Sequence, residues 1–200
     1  MTEIARNLKV VRDKILTASA KRSLEYKYFE PRLVAVSKLQ PTESIIDAYE
    51  AGQRHFETVD NEKLSSTLNT AWPKFRKCDD LKLKVMVQVN TSEEKEKNGC
   101  EVAQVSSLVK YIIDNCKNLE FMGIMTIGMS GYDVTKEQNP DFLCLKKCRE
   151  NVSKELQIDL TTIELSMGMS NDYEHAVELG STNIRVGSAI FGERPKKVVT

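Results

Sequence analysis

Apolar residues along the chain occur either in short continuous runs or at a helical spacing, and the two patterns alternate. Ile4, Leu8, Val11 and Ile15 share one face of an amphipathic helix. The predicted helices cover residues 3–24, 42–52, 61–77, 101–116, 141–156 and 171–179. The predicted strands cover residues 33–37, 54–59, 81–90, 119–127 and 161–168, with a last strand that begins segment 182–192 and runs into a turn. The strands are apolar on both faces, which predicts an α/β fold with a parallel sheet covered by helices.

The number of strand–helix units bears on the architecture. We count about six units, which fits either a doubly wound sheet or a (β/α) barrel, whereas a complete barrel of the TIM type has eight. No internal repeat, low-complexity tract or linker divides the chain. We therefore expect a single domain over residues 1–200.

Charge and composition argue against several classes of function. The chain has 29 basic and 29 acidic residues, so its zero net charge predicts neither a nucleic acid nor an anionic membrane as partner. No apolar run approaches the roughly 20 residues that cross a bilayer, and the first residues lack a signal core. With five cysteines, no CxxC motif and only two histidines, we expect reduced structural thiols and no metal site. The composition predicts a cytosolic, hence cytoplasmic, protein.

Two segments that follow predicted strands have the composition of anion-binding turns. In "SMGMSNDYE", Gly168 allows a close backbone approach, and Ser170 or Asn171 can cap the helix that follows. In "RVGSAIFG", Gly187 and Ser188 form the turn after the last strand. Barrels often hold phosphate with the loops after their last two strands, and these are the last two strands here. The alternative is that the glycines and serines serve only turn geometry and capping.

Lys38 ends the apolar strand in "LVAVSKLQP". An amine at the mouth of such a strand loses hydration in its charged form, which favours the neutral, nucleophilic form. A neutral amine can form a Schiff base with an aldehyde. The alternative is a lysine that snorkels to solvent. A lysine together with a phosphate site indicates a phosphorylated aldehyde, and pyridoxal phosphate is the commonest cofactor of that kind.

Arg185 lies two residues before the turn at Gly187. One interpretation is an ion pair with a nearby carboxylate. The other is a hydrogen bond to the pyridine nitrogen of the cofactor. Because a guanidinium keeps its proton at any working pH, it would leave the ring a weaker electron sink.

Six segments carry a resemblance to a known family: "LVAVSKLQP", "AGQRHF", "VMVQVNTS", "FMGIMTIG", "NPDF" and "ELSMGMSNDYEHAVELGSTNIRVGSAIFGER". They closely resemble the pyridoxal-phosphate homeostasis proteins, also called proline synthetase co-transcribed homologues, over nearly the whole chain. That family is similar to the barrel domain of alanine racemase. The resemblance implies a (β/α) TIM-barrel type of fold in which pyridoxal 5'-phosphate is bound as a Schiff base.

The resemblance also implies which residues bind the cofactor. Lys38 would form the Schiff base, Ser170, Gly187 and Ser188 would contact the phosphate, and Arg185 would contact the pyridine nitrogen. Two further residues, Asn90 and Met167, would lie near the ring.

One internal segment of the family has no counterpart in this sequence. In the family, a segment like "HFGEN" opens a helix. This helix is followed by a "WHFIGHLQ" strand, by another helix and by a strand near "ETVDS". Here "QRHF" runs directly into "ETVDNEKL", so about forty residues, close to two strand–helix units, are missing. We therefore expect an incomplete barrel, in which strand 54–59 fuses the family's second and fourth strands and two strand edges are exposed.

The sequence is compared with the requirements of three functions. The first is a non-enzymatic carrier that buffers pyridoxal phosphate in vitamin B6 homeostasis and hands it to apo-enzymes; it has no catalytic residue. The second is an amino-acid racemase, which needs a second acid/base, usually a tyrosine from another domain. Tyr132 and Tyr173 are the tyrosines near the mapped loops, and the chain ends eight residues after Gly192, so the carrier is favoured. The third, a sugar-phosphate aldolase using Lys38, lacks a clear carboxylate partner.

Overall fold

The computed structural model describes residues 2–26, 30–35, 61–74, 82–94, 98–129, 131–133, 135 and 137–192. These residues belong to two compact units. The terminal unit comprises the described part of residues 1–57 and 167–200, and the central unit comprises the described part of residues 58–166. The prediction of one domain over residues 1–200 stays a prediction.

The elements of the described residues alternate as the sequence pattern predicts. The α-helices are α1 (Glu3–Ala20), α2 (Glu62–Ala71), α3 (Val105–Asn115), α4 (Pro140–Leu156), α5 (Tyr173–Glu178) and α6 (Ser188–Phe191). The strands are β1 (Arg32–Ala35), β2 (Leu83–Gln88), β3 (Leu119–Met125), β4 (Glu164–Ser166) and β5 (Asn183–Val186). Single turns of 3-10 helix cover Leu24–Tyr26, Trp72–Lys74, Val102–Gln104 and Leu160–Thr162.

The terminal unit is built on a parallel pair of strands. β1 pairs with β5 so that Arg32 lies opposite Asn183 and Val34 opposite Arg185. Helices α1, α5 and α6 contribute to one apolar cluster with these strands, because the helical spacing of α1 places its apolar residues on one face. The buried members of the cluster are Leu8, Val11, Ile15, Ala18, Leu33, Tyr173, Val177, Ile184, Val186 and Ile190.

The end of α1 differs from the prediction of a helix over residues 3–24. The helix ends at Ala20, and Arg22 turns inward, where only 4% of the residue is exposed. Its guanidinium donates hydrogen bonds to the carbonyl oxygens of Val177, at 2.7 Å, and of Ser181. Burial lowers the pKa of Arg22 to about 10. Arg22 thereby binds one carbonyl oxygen in the last turn of α5 and one in the segment that follows the helix.

The central unit holds three parallel strands with β3 in the middle, between β2 and β4. Helix α3 packs on β2 and β3, and α4 packs on β3, β4 and α3. Gly123 of β3 marks a close approach of two backbones, since a Cβ atom there would lie 2.1 Å from the carbonyl oxygen of Glu164. Only glycine fits at this point of the sheet.

Two predicted elements are shorter than their sequence patterns suggested. The strand predicted over residues 161–168 is reduced to β4, because the side chain of Asp159 accepts the N–H of Thr161 and holds a 3-10 turn at its start. The final strand is reduced to the four residues of β5, and the turn predicted after it contains the short helix α6. By contrast, the helix predicted over 141–156 is confirmed as α4, capped by Asn139 with Pro140 in its first turn.

Several predicted elements lie outside the described residues. They are the end of the first strand at 36–37, the helix at 42–52, the strand at 54–59 and Lys38 itself. The count of about six strand–helix units therefore stays a prediction. Within the described part of the chain, no helix has both the length and the apolar character needed to cross a membrane.

Candidate functional site

The predicted anion-binding turns both lie in the terminal unit. We call residues 168–172 the serine turn and residues 187–189 the glycine turn. The segment that leads into the serine turn runs beside β5: Met167 N–H donates to the carbonyl oxygen of Asn183 at 3.2 Å, and Arg185 N–H donates to that of Gly168 at 3.0 Å. Pairing with β5 therefore fixes where the serine turn begins.

Gly168 is required for the serine turn on two grounds. Its φ of +95° lies in the left-handed region, which side chains rarely adopt. A Cβ atom at this position would also lie 2.5 Å from the Cβ of Ala176 and 2.9 Å from the Cα of Tyr173. The predicted close backbone approach at Gly168 is confirmed: the serine turn packs directly on α5.

The N-cap position of α5 is occupied by Asp172, whose side chain makes no capping hydrogen bond to the helix, so the prediction of a cap at Ser170 or Asn171 is wrong. The Asp172 carboxylate accepts the N–H of Met169 at 2.6 Å, and the Asp172 N–H donates to the carbonyl oxygen of Met169 at 3.2 Å. This reciprocal pair closes the serine turn, and it leaves the hydroxyl of Ser170 uninvolved in capping.

Ser170 instead joins the two turns. Its Oγ accepts the N–H of Ala189 at 3.4 Å across 19 positions of sequence. The serine turn and the glycine turn therefore lie side by side at the ends of neighbouring backbone segments. This is the arrangement expected if both turns contact the same ligand.

The glycine turn presents hydrogen-bond donors that the described part of the chain leaves unused. Ser188 is exposed, and neither its N–H nor its hydroxyl has a partner among the described residues. The same holds for the N–H of Gly187, whose carbonyl oxygen accepts from Ile190 and Phe191 at 2.9 Å. Because the adjacent helices are only six and four residues long, the donors of the turns themselves, rather than a helix dipole, would attract an anion.

Arg185 provides a buried positive charge in the same unit. It lies in β5 with 6% of the residue exposed. Burial raises the pKa of the Asp172 carboxyl, while the hydrogen bond from Met169 and the charge of Arg185 act in the opposite direction. The guanidinium of Arg185 and the carboxylate of Asp172 therefore interact electrostatically.

Met167 is fully buried and its backbone is held at both ends by Ser181. The Ser181 hydroxyl donates to the carbonyl oxygen of Met167 at 2.7 Å and lies 3.4 Å from its N–H. Sequence analysis did not single out Ser181, because a serine after a helix-ending glycine is common in turns. Its role depends on a partner 14 positions away.

Asn90 belongs to the central unit, where it follows β2. Its Nδ2 donates to the carbonyl oxygen of Glu94 at 2.9 Å, and its N–H donates to that of Cys100. Its Oδ1 is buried and has no hydrogen-bond partner among the described residues. An unpaired buried amide oxygen is costly and is available to a ligand.

A second polar group of the central unit lies at the end of the next strand. Thr126, after β3, is 1% exposed; its hydroxyl lies 2.7 Å from that of Thr91 and accepts the N–H of Gly128 at 3.1 Å. The Asp141 carboxylate accepts the N–H of Met129 at 2.6 Å. The "NPDF" motif thus caps α4 and fixes the loop after β3.

In the described part of the chain, Cys100, Cys116, Cys144 and Cys148 are thiols that form no disulfide. Within the described ranges, no three histidine, cysteine, aspartate or glutamate side chains are grouped so that they could hold a metal ion.

Comparison with known proteins gives consistent results. A family model described as alanine racemase, N-terminal domain, matches residues 23–195. The chain is 39% identical to the pyridoxal phosphate homeostasis protein of Homo sapiens, over 94% of this chain and 85% of the human protein. The alignment spans 236 positions, more than the 200 residues of this chain, so part of the human protein has no counterpart here.

Two solved structures show the fold. That of PipY from Synechococcus elongatus with PLP bound matches with a TM-score of 0.68 and 21% identity, over 94% of this chain and 100% of PipY. Alanine racemase from Corynebacterium glutamicum matches with a TM-score of 0.62 and 11% identity, over 99% of this chain and 63% of the racemase. The predicted α/β fold related to the alanine racemase barrel domain is confirmed.

Proposed function

The chain belongs to the pyridoxal phosphate homeostasis protein family, and from this premise we propose that it binds pyridoxal 5'-phosphate and holds it without catalysing a reaction. The observation that carries the proposal is the hydrogen bond between Ser170 and Ala189. It joins two turns whose remaining donors, at Gly187 and Ser188, suit the oxygens of a phosphate group. The PLP bound to the related fold of PipY supports the same ligand.

The proposed roles of the residues follow the chemistry of the ligand. When bound, the cofactor supplies an electrophilic aldehyde and an electron-accepting ring. Ser170, Gly187 and Ser188 would hold its phosphate, and the amine of Lys38 would hold its aldehyde as a Schiff base. Arg185 would donate a hydrogen bond to the ring nitrogen.

Two residues have proposed places beside the ring. The Oδ1 of Asn90 is a free acceptor within the described residues, and Met167 is an apolar side chain fixed through its backbone. We propose that both lie near the bound ring, Asn90 as a polar neighbour and Met167 as part of the pocket wall.

A non-catalytic role is supported by the expected electronic state of the ring and by the position of a candidate second acid/base. A guanidinium at the ring nitrogen keeps its proton, so Arg185 would leave the ring a poor electron sink. Tyr173, one of the two tyrosines considered as a second acid/base, is 4% exposed and packs in the apolar cluster of the terminal unit. Arg185 therefore disfavours most reactions other than racemisation, and the burial of Tyr173 disfavours racemisation itself.

The proposed physiological role is that of a carrier in vitamin B6 homeostasis. The recipients would be apo-enzymes that depend on pyridoxal phosphate, and the protein would act in the cytoplasm. Neither a nucleic acid nor a membrane is part of the proposal.

The proposal is tested by adding pyridoxal phosphate to the purified protein and following visible absorption. We expect a Schiff-base band that disappears on borohydride reduction and is absent from Lys38→Ala. Arg185→Ala should weaken cofactor binding while the band persists. A protein that stays colourless with excess cofactor would contradict the proposal, and so would loss of the α-deuterium of alanine in the presence of the loaded protein.

A further inference from the structure

Asp172 has a position in the candidate site that neither capping nor ligand binding accounts for. Its carboxylate holds the serine turn through the N–H of Met169 at 2.6 Å, one residue before Ser170. A neutral acceptor, such as asparagine, could make the same hydrogen bond. The turn nevertheless carries a carboxylate two residues after Ser170, whose hydroxyl contacts the glycine turn.

The Asp172 carboxyl lies in the same unit as the buried guanidinium of Arg185. Burial raises the pKa of Asp172, while its hydrogen bond from Met169 and the positive charge of Arg185 act in the opposite direction. In its ionised form, Asp172 offsets part of the positive potential that Arg185 creates in the terminal unit. A dianionic ligand at the two turns would meet a weaker field than Arg185 alone would produce.

We propose that Asp172 is a positioning and specificity-determining residue whose hydrogen bond shapes the serine turn and whose negative charge limits the affinity of the turns for phosphate. This inference rests on the proposed function, and it adds how the same site would release its ligand. A carrier has to give up its cofactor, and a charge of like sign beside the phosphate accelerates dissociation, since electrostatic repulsion acts on the bound state.

The two contributions of Asp172 are separated by substitution. Asp172→Asn keeps an acceptor for the N–H of Met169 and removes the charge. Asp172→Ala removes both. Asp114→Asn is the matched control, because it makes the same change of net charge at an exposed residue of α3, which pairs with Lys110 at 2.7 Å in the central unit.

The experiment measures dissociation constants for pyridoxal phosphate, inorganic phosphate and pyridoxal by calorimetry at low salt. We expect Asp172→Asn to bind both phosphate-bearing ligands about tenfold more tightly than the wild type, with a slower dissociation of pyridoxal phosphate. Binding of pyridoxal, which lacks the phosphate, should be unchanged. Asp172→Ala should bind phosphate more weakly than Asp172→Asn, and Asp114→Asn should match the wild type.

Different outcomes separate this inference from the proposed function. If the wild type binds pyridoxal phosphate but Asp172→Asn binds it with equal or lower affinity, the inference is overturned and the proposed function stands. If the wild type binds neither pyridoxal phosphate nor inorganic phosphate, both fail. Asp172→Ser, a second neutral acceptor whose fold is checked by circular dichroism, repeats the test in case the asparagine variant does not fold.

Discussion

At the scale of single residues, the site depends on positions where only one side chain fits. Gly168 combines a left-handed backbone with contact to the body of α5, and Ser170 reaches the neighbouring turn with a single hydroxyl. Such residues do not contribute to stability by burying apolar surface. They allow two backbone segments to approach closely.

Gly168→Ala should destabilise the protein by about 2–4 kcal/mol, because the added methyl group meets both backbone strain and the Cβ of Ala176. Gly131→Ala is the matched control: its φ is +76°, and nothing lies within 4 Å of the place that the added methyl group would occupy. The control should cost only about 1 kcal/mol. Urea unfolding measures both values, and equal losses would show that the contact with α5 does not matter.

At the scale of elements, the connection from α5 to β5 decides where the candidate site lies. Arg22 binds the carbonyl oxygens of Val177 and Ser181, and Ser181 in turn binds Met167. These contacts link α1, the end of α5 and the start of the serine turn. Arg22, two residues after the end of α1, thus helps to fix the segment that leads into the serine turn.

Arg22→Ala should lower the free energy of unfolding by about 2–4 kcal/mol, because it removes the hydrogen bonds of a buried guanidinium to the carbonyl oxygens of Val177 and Ser181. Lys9→Ala removes the same charge from an exposed position of α1, and it should change the stability by no more than about 0.5 kcal/mol. Chemical denaturation of both variants provides the comparison. An Arg22→Ala variant as stable as Lys9→Ala would mean that solvent replaces the guanidinium at no cost.

The elements also show what the sequence pattern can predict. Helix α4 was predicted closely, because its boundaries are local: Asn139 caps it, Pro140 starts it and Gln157 ends it in a left-handed conformation. The pairing of the two turns followed from their place after the last two strands. The roles of Asp172 and Ser181 could not be predicted, since each depends on contacts that the fold creates.

At the scale of the whole molecule, the sequence is short for its family. The alignment with the human relative is longer than this chain, in line with the predicted loss of roughly forty residues, about two strand–helix units, between "QRHF" and "ETVD". Strands that lose their neighbours expose backbone donors and acceptors. The shortened chain is therefore expected to be less stable and more prone to associate than a complete barrel.

Inserting the corresponding segment of the human relative between Phe56 and Glu57 should raise the free energy of unfolding by several kcal/mol and reduce self-association. A flexible Gly/Ser segment of equal length at the same place is the control, and it should do neither. Urea unfolding and sedimentation provide the two measurements. Equal stability of the two insertion variants would show that the segment is dispensable for this chain.

The central claim is that the serine turn and the glycine turn bind the phosphate of a cofactor whose aldehyde is held by Lys38. Borohydride trapping followed by peptide mass mapping tests it most directly, with pyridoxal phosphate and pyridoxal compared in the wild type and in a Ser170→Ala, Ser188→Ala double variant. We predict that pyridoxal phosphate labels Lys38 at far lower concentration than pyridoxal does, and that the double variant loses most of this preference. Label spread over many lysines, with equal dependence on the two compounds, would contradict the account.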